Sequence, residues 1–234
     1  MPKIKMTNGT YRYKVHPIYT GYVHLNKQIE EENLLIIKKI LDDANIPFFL
    51  VGGTLLGAVR EKDFIEHDDD IDLALMYKDK QGFVDLLPAF EAEGFVLARY
   101  DRHSIFSILR KGQFVDLDFF EEYDNSVYNG GGWAILKKFL DEVDYIEFKK
   151  EHYLAPKDYE GYLESEYGEN WRTPIKYFNF NRSKAEIFKI KMMEYIKAYL
   201  PAFIYTPLKN RADKKTFAKY MVNINKYLQK LTNV

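Results

Sequence analysis

The apolar residues divide the chain into segments of different period. Across residues 25–44, Ile29, Ile36, Ile37, Ile40 and Ala44 recur at helical spacing with charges between them, which predicts an amphipathic helix. Asn45 and Pro47 mark its end. The run PFFLV over 47–51 predicts a short buried strand. Gly52-Gly53 breaks it, and residues 54–60 predict the first turns of a second helix. A strand follows at 71–76. Phe83, Leu86, Leu87 and Phe90 return to helical spacing, with Pro88 forcing a kink or an end. Residues 95–99 predict an edge strand, and 104–110 with 113–120 predict a hairpin closed by Lys111-Gly112.

The three glycines within 124–132 predict a loop, and helices are expected over 135–143, 158–167 and 183–200. The last of these carries Ile187, Ile190, Met193 and Ile196 among its apolar positions, and the pattern stays helical beyond Pro207. Residues 1–24 show no clear period and are expected to pack as an irregular arm. This order predicts a mixed α/β (α+β) sheet flanked by helices with a helical C-terminal part. The expected division is an N-terminal arm over 1–24, a catalytic domain over 25–180 and a helical extension packed on it over 181–234.

Composition narrows the chemistry. A formal net charge of −1 over 234 residues gives no global basic field for nucleic acid. The absence of cysteine removes disulfides, thiolate metal sites and a cysteine nucleophile. No apolar run reaches the roughly 20 residues of a membrane span, and no signal peptide is read at the N-terminus. A cytoplasmic location is therefore expected. Lys214, Lys215, Lys219 and Lys226 make the tail basic, which leaves room for weak contact with the inner face of a membrane.

The acidic residues carry the candidate chemistry. In DDDIDLAL, Asp70 and Asp72 alternate with Ile71 and Leu73 as a strand begins. Alternation sends both carboxylates to one face, about 7 Å apart, where they repel unless cations sit between them. Oxygen-only donors favour Mg²⁺ or Mn²⁺, although a solvated acidic turn has the same sequence. Gly52-Gly53-Thr54, between strand and helix, offers bare backbone N–H groups to a phosphate. The later FVDLDFF repeats the alternation, with Asp116 and Asp118 on one face. Acids in so apolar a strand are costly unless paired or metal-bound. The order strand, Gly-Gly, helix, D-h-D strand and h-D-h strand is that of a nucleotidyltransferase fold.

The run VGGTLLGAVREKDFIEHDDDIDLAL resembles the LicD/fukutin-related transferases, whose usual form is close to GGTLLGxxRxxxFIxWDDDIDxxx. VDLDFF and the block Tyr167-Gly168-Glu169-Asn170-Trp171 extend the resemblance, which covers roughly residues 47–174. The resemblance implies metal-dependent transfer of a phosphate-linked alcohol, such as phosphocholine, a polyol phosphate or a phosphonate. The donor would be CDP-activated, the acceptor a glycan or glycolipid hydroxyl, and the setting surface polysaccharide synthesis. Asp70, Asp72 and Asp116 would hold two ions, and Asp116 or Asp118 would take the acceptor proton. Asp68 and Asp69 would orient substrate, Gly52, Gly53 and Thr54 would meet the donor phosphates, and Arg60 would neutralise their charge. Two positions depart from the pattern. His67 replaces the usual Trp at the donor pocket, and Asp118 stands where an apolar residue is usual. Transfer of a nucleoside monophosphate to a small molecule or protein, and nucleotide binding without catalysis, remain open alternatives.

Overall fold

The computed structural model describes residues 1–18, 24–66, 68–174 and 183–232. In chain order the elements are β1 (Lys3–Met6), β2 (Gly9–Arg12), α1 (Lys27–Asp43), β3 (Phe48–Leu50), α2 (Gly52–Arg60) and β4 (Asp70–Met76). Then come α3 (Lys80–Asp85), α4 (Leu87–Ala92), β5 (Val96–Tyr100), β6 (Ile105–Arg110), β7 (Gln113–Glu122), β8 (Val127–Gly130) and β9 (Trp133–Leu136). The chain continues through α5 (Lys137–Asp141), β10 (Val143–Phe148), β11 (Glu151–Pro156), α6 (Tyr159–Tyr167), α7 (Lys184–Tyr199) and α8 (Ala202–Thr232).

A nine-stranded mixed sheet organises the described residues, in the order β10-β11-β3-β4-β7-β6-β5, with the β8–β9 hairpin joined to the end of β7. β4 and β7 lie side by side and parallel at its centre, because α3, α4, β5 and β6 lie between them in the chain and make the crossover. Both faces are covered, so Ile71, Leu73 and Leu75 of β4 and Val115, Leu117 and Phe119 of β7 are fully buried. α1 starts where the Asn26 side chain accepts from the Ile29 N–H, and it buries Leu34, Ile37 and Leu41. Pro88 does not kink one helix. It opens α4 near its N-terminus, where its missing N–H costs no hydrogen bond.

Three regions differ from the sequence-based expectation. The first residues are not irregular, since β1 and β2 form an antiparallel hairpin whose Thr7 donates twice to Asp85. The segment 124–132 is not a loop throughout. It contains β8, and Gly131 and Gly132, at φ +61° and +100°, turn the chain into β9. The helix expected over 135–143 shrinks to α5, and β10 and β11 follow as an antiparallel pair at the sheet edge.

α1 also buries a carboxyl. Glu30 is completely buried, its Oε2 accepts from Asn33 Nδ2 at 3.0 Å, and its Oε1 has no hydrogen-bond partner among the described residues. Burial raises its pKa from 4.5 to about 8. The fold thus favours the protonated form. Its contribution is full below about pH 4.5 and is lost as pH climbs towards about 8. Glu30→Gln is expected to leave stability at pH 5 nearly unchanged and to raise it at pH 9. The scale is about 1.4 kcal/mol per pH unit of displacement, to be read from urea unfolding at both pH values.

Candidate active site

β4 begins Asp70-Ile71-Asp72-Leu73, and its pleat sends Ile71 and Leu73 into the core while Asp70 and Asp72 stay partly buried on the other face. In the β4/β7 register Asp72 lies beside Asp116, Asp70 beside Phe114 and Ala74 beside Asp118. β6 places Ser107 beside Asp116, and β5 places Arg99 beside Ser107. Register partners on neighbouring strands share a face. A polar row Arg99–Ser107–Asp116–Asp72 therefore crosses four adjacent strands.

The row is tied together. Arg99 Nη2 donates to Asp116 Oδ2 at 3.0 Å, and its Nε donates to Ser107 Oγ at 3.0 Å. Ser107 Oγ donates to Asp116 Oδ1. At the other end, Asp72 Oδ2 accepts from the Gly53 N–H at 2.9 Å, and the Asp72 N–H donates to Thr54 Oγ1 at 2.8 Å. The first turn of α2 thus presents the Gly53 N–H to the acidic row, where a helix N-terminus favours negative charge.

Glycine at 52 and 53 makes this closeness possible. Gly52 holds φ +54°, and a Cβ on it would lie 2.5 Å from Asp72 Oδ2 and 2.9 Å from the Trp133 ring. A Cβ on Gly53 would collide with Asp68 Oδ2. Thr54 is 3% exposed. Its hydroxyl steadies the β4 backbone, which places it beneath the acids as a support for Asp72. Arg60 lies eight residues beyond Gly52, about 12 Å along the helix axis. Its guanidinium donates to Glu61 and to the Trp171 carbonyl, so the structure does not bring it to the row. His67 lies outside the described residues.

Asp68, Asp69 and Asp70 each offer a carboxylate oxygen within 4.8 Å of the others. The acids raise one another's pKa. Burial, then the neighbouring Asp69, lifts Asp68 to about 6. Burial first, then Asp72 and Asp116, carries Asp70 well above the usual carboxylate range. Burial with Asp68 and Asp116 does the same for Asp72. Asp118, only 6% exposed rather than solvent-facing, is raised by burial, Asp116 and Asp72. So dense a set of oxygen donors, with raised pKa values on several members, suits a hard divalent cation. The residues present fit Mg²⁺ or Mn²⁺.

A wall that the sequence reading did not single out stands over the glycine turn. Trp133 donates from Nε1 to Glu166 Oε2 at 2.9 Å, and its ring stacks on Tyr220 of α8 at 6.0 Å between centroids. Burial raises Glu166 to about 8, and Glu166 is among the charges that raise Asp72. Tyr162 of α6 receives the Gly52 N–H at 3.0 Å. Beyond Arg99 the row meets a cavity of about 280 Å³ lined by Arg99, Tyr100 and Asp101 of β5, Lys197 of α7 and Tyr205 of α8. Arg99 and Ser107 were in principle readable as polar residues inside apolar strands. Trp133, Glu166 and Tyr220 reach the site only through tertiary packing.

Comparison with known proteins places the chain. Residues 45–185 match the family model described as LicD/FKTN/FKRP, nucleotidyltransferase domain. The ribitol-5-phosphate transferase FKTN of Homo sapiens is 27% identical over 170 residues, covering 67% of this chain and 36% of that protein. The chain thus spans about a third of the length of the FKTN proteins it matches. RP689, an uncharacterized protein of Rickettsia prowazekii (strain Madrid E), is 31% identical over 182 residues, covering 76% of this chain and 60% of that protein. Among solved structures, the lincomycin-bound lincosamide antibiotic adenylyltransferase LnuA superposes with a TM-score of 0.44 at 15% identity, covering 74% of this chain and 99% of that one. The family match spans more than half of the chain and contains the acids, the glycine turn and the strands that carry them: this protein belongs to the LicD/FKTN/FKRP nucleotidyltransferase-domain family.

Proposed function

We propose that this chain is a metal-dependent transferase moving a phosphate-linked alcohol from a CDP-activated donor to a glycan or glycolipid hydroxyl in surface polysaccharide synthesis. The observation that carries this reading is the alignment of Asp72 and Asp116 on adjacent strands beside the Gly52-Gly53 turn. Asp70, Asp72 and Asp116 would hold the ions, with Asp68 and Asp69 alongside. Bound divalent ions would offset the charge that builds on the phosphate oxygens and the leaving group. The acceptor oxygen forms a bond to the phosphorus bearing the alcohol, the bond from that phosphorus to CMP breaks, and CMP leaves.

The protein's own part is positioning and proton handling. The α2 N-terminus faces the anionic substrate, and Arg99 with Ser107 fixes the orientation of Asp116. Asp118, two residues along β7 from Asp116 and on the same face of the strand, would take the acceptor's hydroxyl proton. The cavity beside Arg99 gives the acceptor a place next to the row.

The test is incubation with Mg²⁺ or Mn²⁺ and CDP-ribitol or CDP-choline, with chromatographic detection of CMP. Release of CMP that depends on an added glycan acceptor and stops with EDTA is expected. Pyrophosphate from nucleoside triphosphates, with no CMP from either donor, would replace this reading with nucleotidyl transfer.

A further inference from the structure

Helix α7 carries apolar residues on two opposite sides. Ile187, Ile190, Glu194 and Ala198, at i, i+3, i+7 and i+11, are its half-buried side. Phe188, Met192, Tyr195, Ile196 and Tyr199, at i, i+4, i+7, i+8 and i+11, form an outer stripe with exposures of 64%, 48%, 43%, 45% and 59%. Beyond the corner at Pro201, Phe203 and Leu208 of α8 continue the apolar surface at 80% and 59% exposure. A patch of this size needs an occupant.

Charge on the same surface indicates which one. At 3.6 residues per turn, Lys184 and Lys191 border one edge of the stripe and Lys189 the other, while Glu186 and Glu194 fall on the opposite half of the helix. Eight basic and three acidic residues lie between positions 184 and 215, in a chain whose net charge is −1. A lysine-bordered apolar stripe matches a bilayer interface, with stems and rings among the acyl chains and ammonium groups at the phosphates. Two copies packed stripe to stripe would instead bring like charges together. No described helix is long and apolar enough to cross a membrane.

The corner is held outward. Arg102 donates to the carbonyls of Lys197, Ala198 and Leu200 at 2.8, 2.9 and 2.6 Å, and its guanidinium lies 4.6 Å from the Tyr205 ring centre. These contacts fix the end of α7 and the start of α8 to the β5–β6 turn. The stripe faces away from the body.

We propose that α7 and the first turns of α8 dock on an anionic lipid surface. Phe188, Met192, Tyr195, Tyr199 and Phe203 enter the acyl–headgroup boundary, and Lys184, Lys189, Lys191, Lys214 and Lys215 meet the headgroups. None of these residues lines the cavity beside Arg99 or belongs to the acidic row, so the test does not depend on the transferase reading.

The test is co-sedimentation of the full chain with vesicles of phosphatidylcholine alone and of phosphatidylcholine mixed with phosphatidylglycerol. Binding to the mixed vesicles is expected, weakened about tenfold or more by high salt or by omission of phosphatidylglycerol. Phe188→Ser with Phe203→Ser is expected to weaken it by at least about tenfold, with an unchanged melting curve because both side chains are exposed. Lys189→Glu with Lys191→Glu provides an independent second variant. No vesicle binding, or binding indifferent to both variants, overturns the proposal. A dimer in light scattering that the Phe188/Phe203 variant dissolves would assign the face to a second copy and also overturn it.

Discussion

Asp72→Asn is expected to raise the thermal midpoint of the metal-free protein while lowering turnover by about a thousandfold or more. The two effects have one origin. Asp72 Oδ2 accepts from the Gly53 N–H, and an asparagine amide oxygen keeps that bond at the same size. What disappears is a charge surrounded by Asp68, Asp116 and Glu166, which all push its pKa up along with burial. A carboxylate whose folded pKa is raised is a stability loss that grows as pH rises past its unfolded value. In EDTA the wild-type melting temperature should therefore fall between pH 5 and pH 8, and the Asn variant should fall less. Mg²⁺ should flatten the wild-type slope more than the variant's. Calorimetry across pH with and without metal reads the stability part, and CMP release reads the rest. Turnover close to wild type in a folded Asn variant would remove Asp72 from the metal site.

Gly52→Ala should damage both fold and activity. The residue sits at φ +54°, which costs an L side chain on the order of 1–2 kcal/mol. Its Cβ would press on Asp72 Oδ2 from one side and on Trp133 from the other. Neither neighbour yields easily, because Trp133 is held by Glu166 and Tyr220 and the Asp72 backbone by Thr54. A melting temperature lower by several degrees, with activity down about a hundredfold or more, is the expected outcome. Gly9→Ala is the control. It also carries a positive φ, but a Cβ there meets nothing within 4 Å. If the two variants lost the same stability and both kept turnover, the close approach at Gly52 would have no catalytic meaning.

The centre of the fold was legible because its local and non-local preferences agree. The PFFLV run, the Gly-Gly break and the Asp-Ile-Asp-Leu alternation each have one plausible backbone solution, and the Lys111-Gly112 turn fixes the β6–β7 hairpin. The β10–β11 hairpin carried no such mark. Lys149 and Lys150 both turn with positive φ, +52° and +66°, a conformation that lysine does not announce. Three consecutive glycines suggested loop at 130–132, yet two of them make a tight turn inside a hairpin. In the site, acids at i, i+2 spacing were readable from the pleat alone. The neighbours that fix their geometry were not, since Arg99 reaches Asp116 across the intervening strand β6 and Tyr220 arrives from a helix 87 residues beyond Trp133 in the chain.

That distant helix changes where the working unit ends. The family match stops at residue 185, but Tyr220 stacks on Trp133 and Asn223 donates to the Glu166 carbonyl from residues further on. Shortening the chain after the matched segment would strip the indole of its cover and let water into the ceiling above the glycine turn. The acids sit inside the matched segment, whereas part of their roof is contributed by the C-terminal helix beyond it, so a unit cut at the family boundary would keep every carboxylate of the row and lose its ceiling.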